Sequence, residues 1–482
     1  MKSEKSGYRW GTDVIIILNF LNSQFSARPN GTLAPARTLN LNMTNEEFIS
    51  AHRNEDTKRL ALGAVPPGVD IRWALRQIEG WQLACKKLPE WSKAEGLWYP
   101  PRLSMEQCSS EATALYKASL AERLLYGNSG NSDNHYGNSD NNSGSATGKG
   151  GGEPTGTLID LTGGFGVDFS YMSRRFRKAL YVEQQEELCR VALHNFSVLG
   201  LEQADVTCCT AEDFLDTIDV IDTANKPCDV LFLDPARRDG AGRKTVAISD
   251  CTPNVVSLQG KLLQVADNVI VKLSPMLDIK QALRQLKNVT ELHVVSYKGE
   301  CKELLFVMKS GAKEGAYSVH CVNLGTSEAE FVCECHEDGS AKANGQGDYK
   351  TDAPSAGLYL FEPNASIQKA GLQDGFAAKW GLRKLHPMSH LFVGSKPLPH
   401  VPARQFVITA TSDFSKAGLK SFLKDIKQAN LTVRNFPESV DKLRRRLKIK
   451  EGGSTFLFAT TLFDGSHILI SATQPDRSQA PL

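Results

Sequence analysis

The stretch Asp160-Leu-Thr-Gly-Gly-Phe-Gly-Val-Asp168 decides the fold class. It follows a short apolar run at 157–160 and opens a segment with helical patterning. Gly163, Gly164 and Gly166 let the backbone turn tightly and let a ligand come close to it. In an open α/β sheet such a turn lies at the carboxyl end of the first strand, where ligands bind. Glu183 closes the next strand-like run, so its carboxylate is placed to accept hydrogen bonds from both hydroxyls of a ribose. The rival reading is a dinucleotide fold. Its third glycine is missing, Phe169 standing after the last one, and Asp160 beside the loop would repel a pyrophosphate.

Outward from this loop, strand-like runs at 157–160, 179–183, 205–209, 229–234 and 268–273 alternate with helical patterns, one of them ending at Gly200. That alternation predicts a parallel, doubly wound α/β sheet. Runs at 292–297 and 303–309 are joined by Lys298-Gly-Glu-Cys301, too short for a crossover helix, so they should pair antiparallel. A parallel sheet ending in an antiparallel hairpin resembles the Rossmann-like layout of class I methyltransferases. Their cofactor, S-adenosyl-L-methionine, carries a sulfonium cation and no phosphate, which suits acids at 160 and 168. In this layout Asp160, Gly163, Gly164, Gly166, Asp168 and Glu183 are expected to bind the cofactor. Thr210 and Ala211 would flank the adenine, although a plain loop is the competing reading there.

The fourth strand ends in Leu231-Phe-Leu-Asp-Pro-Ala-Arg-Arg238. Asp234 and the turn carbonyls can hydrogen-bond an exocyclic amine and localise its lone pair, which is catalysis by positioning and electrostatics. The expected catalytic residues are Asp234, Pro235, Arg237 and Lys272; the competing reading is a strand-to-loop turn capped by aspartate. Uracil-C5 chemistry requires a cysteine nucleophile after the fifth strand, where Lys272-Leu-Ser-Pro-Met276 has none, and Cys251 comes earlier. Ribose 2′-O-methylation stays open: Lys117, Asp234, Lys272 and Glu303 hold the topological places of a Lys-Asp-Lys-Glu set, in which a lysine of lowered pKa takes the hydroxyl proton.

The chain has 482 residues, 41% hydrophobic and 23% charged, the profile of a multidomain soluble protein. Eleven scattered cysteines suggest free thiols in a reducing compartment, so a cytoplasmic location is expected. Cys333, Cys335 and His336 lack a second ligand pair at zinc spacing, so no metal is expected. Val14–Leu21 is too short an apolar run to span a membrane. Residues 1–42 are expected to be a leader or disordered arm, 43–126 a helical region, and 127–156 a disordered Asn/Ser/Gly linker. Within the helical region, Ile71–Trp91 reads as a helix, and Ser104-Met-Glu-Gln107 as a capping box opening a second helix to Leu125. The catalytic domain should cover 157–310, with α+β domains beyond it. A net charge of +2 hides twelve Lys or Arg against four acids in 401–450.

Several stretches together resemble a bacterial family of class I methyltransferases with ferredoxin-like and THUMP-like C-terminal domains. They are Leu103-Ser-Met-Glu-Gln-Cys-Ser-Ser-Glu111, Asp160–Asp168, Tyr181–Leu188, Asp234–Arg238, Lys272–Asp278, Glu300–Glu303, Phe361-Glu-Pro-Asn-Ala-Ser366 and Lys384-Leu-His386. The resemblance spans about Met43 to Thr473 and implies a ferredoxin-like module at 311–400 and a THUMP-like domain at 401–475. Because THUMP domains bind RNA, it also implies RNA methylation, of tRNA or rRNA. Arg444, Arg445 and Arg446 in Lys442–Lys450 are expected to contact phosphates, a solvated helix face being the alternative. A non-catalytic RNA-binding protein and a protein or DNA methyltransferase are the remaining alternatives.

Overall fold

The computed structural model describes residues 43–127, 154–218, 226–236, 248–312, 315–326, 330–336 and 352–475. The expectations for 1–42, including Val14–Leu21, for most of the 127–156 linker, and for Arg237 and Arg238 fall outside these residues.

Nine strands form the larger sheet: β1 (Thr155–Asp160), β2 (Phe176–Glu183), β3 (Ala204–Cys208), β4 (Cys228–Leu233), β5 (Ala266–Leu273), β6 (Val289–Tyr297), β7 (Glu300–Lys309), β8 (Ala316–Leu324) and β9 (Phe331–His336). Their order is β3-β2-β1-β4-β5-β7-β6-β8-β9, with β1 to β5 parallel and β7 antiparallel to both β5 and β6. This is the predicted Rossmann-like layout with its terminal hairpin. The central strands read as continuous apolar runs because helices cover both faces. Asp160, Asp234 and Lys272 therefore fall at neighbouring strand ends, on the edge where the glycine turn emerges.

Two local expectations are corrected. Ser104 does not cap a long helix; it lies inside the short helix Arg102–Gln107, which stops at Cys108. Ser110 caps the next helix, Glu111–Tyr126, by accepting from the Thr113 amide. The signal misled because Ser104 and Gln107 fit the spacing, while the extended conformation of Cys108 was not readable locally. The expected domain boundary at 311 also shifts. Strands β8 and β9 extend the catalytic sheet, β8 running parallel to β6.

The second sheet has the order β11-β12-β10-β13-β16-β15-β14. Its strands are β10 (Tyr359–Pro363), β11 (Arg383–Lys384), β12 (Phe392–Gly394), β13 (Ala403–Asp413), β14 (Asn430–Arg434), β15 (Thr455–Thr461) and β16 (His467–Thr473). Phe361, Ile367, Phe376 and Phe392 bury themselves in the same core as Leu292, Val294 and Val319 of the larger sheet, which joins the two sheets. Helices Lys416–Phe422 and Val440–Leu447 pack Leu419, Leu443 and Leu447 against Leu457 of β15 and Leu469 of β16. Among the described residues, no helix is long and apolar enough to cross a membrane.

A buried polar cluster marks the seam between helix Glu111–Tyr126 and the sheet extension. Nδ1 of His293 lies 2.7 Å from the Tyr116 hydroxyl and Nε2 lies 2.9 Å from Glu291, whose carboxylate also holds Arg123. The ring stacks at 4.4 Å on His320, which pairs with Glu330 at 2.7 Å. Burial lowers the His293 pKa below the ordinary 6.5; Glu291 opposes that shift and His320 adds to it. The unfolded chain therefore binds this proton more readily than the folded one, and stability falls as pH drops below about 6.5. Urea unfolding should show a lower midpoint at about pH 5.5 than at about pH 7.5. His293→Gln should flatten that difference; an unchanged dependence would remove His293 as its source.

Candidate functional site

The glycine turn is shaped by what surrounds it. A Cβ on Gly163 would lie 2.0 Å from the Tyr181 ring, so no larger residue fits against β2. Gly166 has φ +83, a left-handed conformation that glycine adopts without strain, and it starts helix Val167–Ser173. The Gly163 amide donates to Val182 O at 2.9 Å, and the Tyr181 hydroxyl donates to Gly164 O at 2.5 Å. Glu183 accepts from the Gly164 amide at 2.9 Å and from the Gln185 amide at 2.8 Å, one on each carboxylate oxygen. The carboxylate is thus fixed at the mouth of the turn.

A cleft of about 590 Å³ opens above these strand ends. Asp160, Gly163, Gly164, Gly166, Asp168, Glu183, Ala211, Asp234, Pro235 and Lys272 all line it. Thr210 is used differently: its hydroxyl accepts from the Asp213 amide at 3.0 Å and caps helix Ala211–Thr217. The turn after β4 is pinned by reciprocal backbone hydrogen bonds between Ala236 and Thr252, at 2.8 and 3.0 Å. Cys251 beside it is buried, and its neighbours Thr252 and Pro253 face the cleft.

The floor of the cleft is one connected set of charges. Lys272 donates to Asp234 Oδ2 at 2.6 Å, to the Ser109 hydroxyl at 3.1 Å and to Asp168 Oδ2 at 3.4 Å. Ser109 donates in turn to Asp168 Oδ2 at 2.7 Å. Lys117, wholly buried, grips both oxygens of Glu303 at 2.6 and 2.8 Å and lies 3.3 Å from Asp168 Oδ1. Burial alone would depress the Lys272 pKa, but Asp234, Asp168 and Glu303 outweigh it and carry it above the usual lysine range. Burial likewise opposes ionisation of Asp168, yet Lys117, Lys272 and the Ser109 hydroxyl hold its pKa below the ordinary value. Asp160 moves the other way. Enclosure raises its pKa well above 3.8 against the Thr162 amide, with Asp168, Asp234 and Glu183 adding repulsion.

The residues fit a cationic, phosphate-free nucleoside. Asp168 Oδ1 is buried with the Lys117 ammonium 3.3 Å away, acids line the turn, and Glu183 presents a fixed carboxylate where a ribose would lie. Ser109 was not foreseen as a site residue. Its only signal was its place in the 103–111 stretch that carried the family resemblance.

Of the arginines expected to touch RNA, Arg445 points outward on helix Val440–Leu447. Arg444 is half-buried near Ala429 O and Glu451, and Arg446 is engaged by Glu438 and lies over the Phe414 ring at 5.0 Å. Cys333 and Cys335 point into the core while His336, on the same strand, points out, so β alternation separates them. The carboxylate of Glu291 and the rings of His293 and His320 bring one polar atom each within 4.8 Å of one another, a proximity not readable in the sequence because they come from two strands.

Residues 359–402 match the family of ferredoxin-like domains, and residues 403–474 match the THUMP domain-like family. The chain is 25% identical over 325 residues to an uncharacterised S-adenosylmethionine-dependent methyltransferase of Mycobacterium tuberculosis, covering 66% of this chain and 81% of that one. It is 30% identical to a Porphyromonas gingivalis W83 protein of known crystal structure, classed among the methyltransferases. That match has a TM-score of 0.73 and covers 90% of this chain and 98% of the other. The ferredoxin-like match starts after β9, which agrees with β8 and β9 belonging to the catalytic sheet.

Removing Lys117 leaves Glu303 as a buried, unpaired charge. Lys117→Met should therefore cost about 3–5 kcal/mol of unfolding free energy, measured by denaturant titration. The double variant Lys117→Met/Glu303→Leu should recover most of that loss. If the double variant is no more stable than the single one, the cost lies in packing and not in the stranded carboxylate.

Proposed function

The chain belongs to the S-adenosylmethionine-dependent methyltransferases that carry ferredoxin-like and THUMP-like C-terminal domains, and from that footing we propose that it methylates RNA on an exocyclic amine of a base. The enzyme class and the cofactor follow from the family; the RNA substrate and the target atom are our reading. RNA, tRNA or rRNA, is supported by the THUMP-like domain and by the exposed lysines and Arg445 on its two packed helices. Arg444, Arg445 and Arg446 remain the proposed phosphate contacts of that face.

One observation carries the target atom: Asp234 stands at the end of β4, in the cleft, with its Oδ2 held by a lysine that is firmly protonated. When bound, S-adenosylmethionine supplies an electrophilic methyl group. Lys272 holds the Asp234 carboxylate in one orientation through its 2.6 Å contact with Oδ2. That carboxylate can accept the N–H of an amine, aim the nitrogen lone pair, and receive the proton the nitrogen sheds after alkylation. The pinned Pro235-Ala236 turn adds fixed carbonyl dipoles at the same edge. Glu183 would hold the ribose hydroxyls, and Asp168 the cationic end of the methionine moiety.

A second reading has its own support. Lys117, Asp234, Lys272 and Glu303 are joined through Asp168 into one cluster, the set a ribose 2′-O-methyltransferase uses. That chemistry needs a lysine of lowered pKa to deprotonate the hydroxyl, whereas three carboxylates raise that of Lys272. The amine reading is preferred on this ground.

Glu183→Ala should weaken S-adenosylmethionine binding in calorimetry by about 1.5–3 kcal/mol, the worth of hydrogen bonds to a charged group. Wild-type protein that binds NAD and not S-adenosylmethionine would defeat the assignment of the cleft. Asp234→Ala should abolish methyl transfer to RNA while leaving cofactor affinity near wild type. Lys272→Ala separates the two targets. For an amine it should reduce the rate modestly; for a ribose hydroxyl it should cost about 10²–10⁴-fold, with an alkali-resistant dinucleotide as product. Nucleoside mass spectrometry of RNA incubated with the enzyme and labelled cofactor reads the product directly.

A further inference from the structure

Glu362, on β10, lies in one of the stretches that carried the family resemblance, and no step of the reaction uses it. Its side chain is 3% exposed, and two arginines from different strands converge on it. Arg434 of β14 donates to Oε1 through Nε at 2.9 Å and Nη2 at 2.6 Å. Arg404 of β13 donates to Oε2 through Nε at 3.0 Å and also engages it through Nη2. β10 and β14 are separated in the sheet by β13, β16 and β15. Flat strands would place them about 19 Å apart, beyond the combined reach of arginine and glutamate. The sheet is therefore curled around Leu360, Phe406, Phe458 and Ile470, and Glu362 fastens its open side.

One bidentate arginine would satisfy a buried carboxylate. The second leaves a fixed surplus of positive charge on the rim, where the Arg404 and Arg434 side chains remain 53% and 35% exposed. The neighbourhood is rich in donors. The Met388 amide donates to His386 Nδ1 at 3.0 Å, so a neutral ring carries its proton on Nε2. Asn435 is exposed and lies 2.9 Å from the same Nδ1. The rim joins the ferredoxin-like and THUMP-like domains, Glu362 and His386 on one side, Arg404, Arg434 and Asn435 on the other.

We propose that the Arg404–Arg434 rim is a preorganised phosphate-binding site that grips the RNA backbone at the seam of the two C-terminal domains. This rests on the reading that the substrate is RNA. Glu362 fixes both guanidinium planes before binding, so little side-chain entropy is lost when a phosphate meets their outer edges. The site carries no sequence information; it fixes the register of the RNA relative to the cleft.

The test uses the full chain and fluorescently labelled total bacterial RNA, with affinity measured across a salt series. Arg404→Gln, which leaves Glu362 paired with Arg434, should weaken binding and reduce the slope of log K against log salt by about 0.7–0.9 for each phosphate that is no longer neutralised. Glu362→Gln, which keeps both arginines but releases their guanidinium planes, should weaken binding while leaving the slope near that of wild type. Unfolding midpoint and S-adenosylmethionine affinity, read on each variant, report any purely structural role. If wild type binds RNA and Arg404→Gln leaves the slope unchanged, the rim is only a fastener and this proposal fails alone. If wild type binds no RNA, the proposal fails together with the RNA reading.

Discussion

The contact on which the catalytic half depends is the buried pairing of Lys117 with Glu303, with Asp168 alongside. It ties the helical region that precedes the catalytic domain to β7 and to the helix after the glycine turn. Through Asp168 and Ser109 it reaches Lys272, and through Lys272 it reaches Asp234. Elements far apart in sequence thus share one electrostatic unit in a setting of low dielectric. Ion pairs enclosed in this way gain little stability over apolar packing, because desolvation offsets their attraction. What they secure is geometry: each charge has one place where it is satisfied.

That arrangement explains how Asp160, Asp168, Glu183 and Asp234, four of the carboxylates that line the cleft, differ. Asp168 and Asp234 have lysine partners. Glu183 is held by backbone amides, while Asp160, enclosed, accepts from the Thr162 amide and faces three other acids. A cation entering the cleft would meet ionised Asp168 and fixed Glu183, whereas an incoming phosphate would meet repulsion from the same groups. Selectivity for a sulfonium nucleoside over a dinucleotide therefore lies in the placement of charge as much as in the glycine spacing.

The class of fold and the glycine turn were legible because they rest on local signals. Apolar runs give strands, glycines give the turn, and the Lys298–Cys301 connection is too short for anything but a hairpin. Strand starts were read two to three residues late at β2, β5, β6 and β7, because exposed polar residues such as Arg177 and Lys178 continue the ladder beyond the apolar core. That Asp234, Lys272 and Glu183 line the cleft was readable because a strand end fixes a position in this topology. Ser109 was not, since its role depends on an irregular stretch between two helices whose path is set by tertiary packing. The arginine triplet read from composition alone divides in three dimensions into one outward and two engaged side chains. The rim arginines were hidden, because the curl of a sheet brings together strands that sequence shows only as distant.

The sheet extension formed by β8 and β9 decides how this protein can be cut. A fragment ending at 310, where the strand pattern of the sequence is already complete, would strip β8 from β6 and leave a long unpaired strand edge. Along that edge His293 would lose the ring stacked on it, and Leu292 and Val294 would lose the apolar cover of β8 and of helix Ala365–Ala370. Bare, flat, apolar edges are templates for pairing with another chain. Excising the catalytic domain at that boundary should yield an aggregating fragment, whereas a cut after β9 keeps the edge strand the fold supplies for itself.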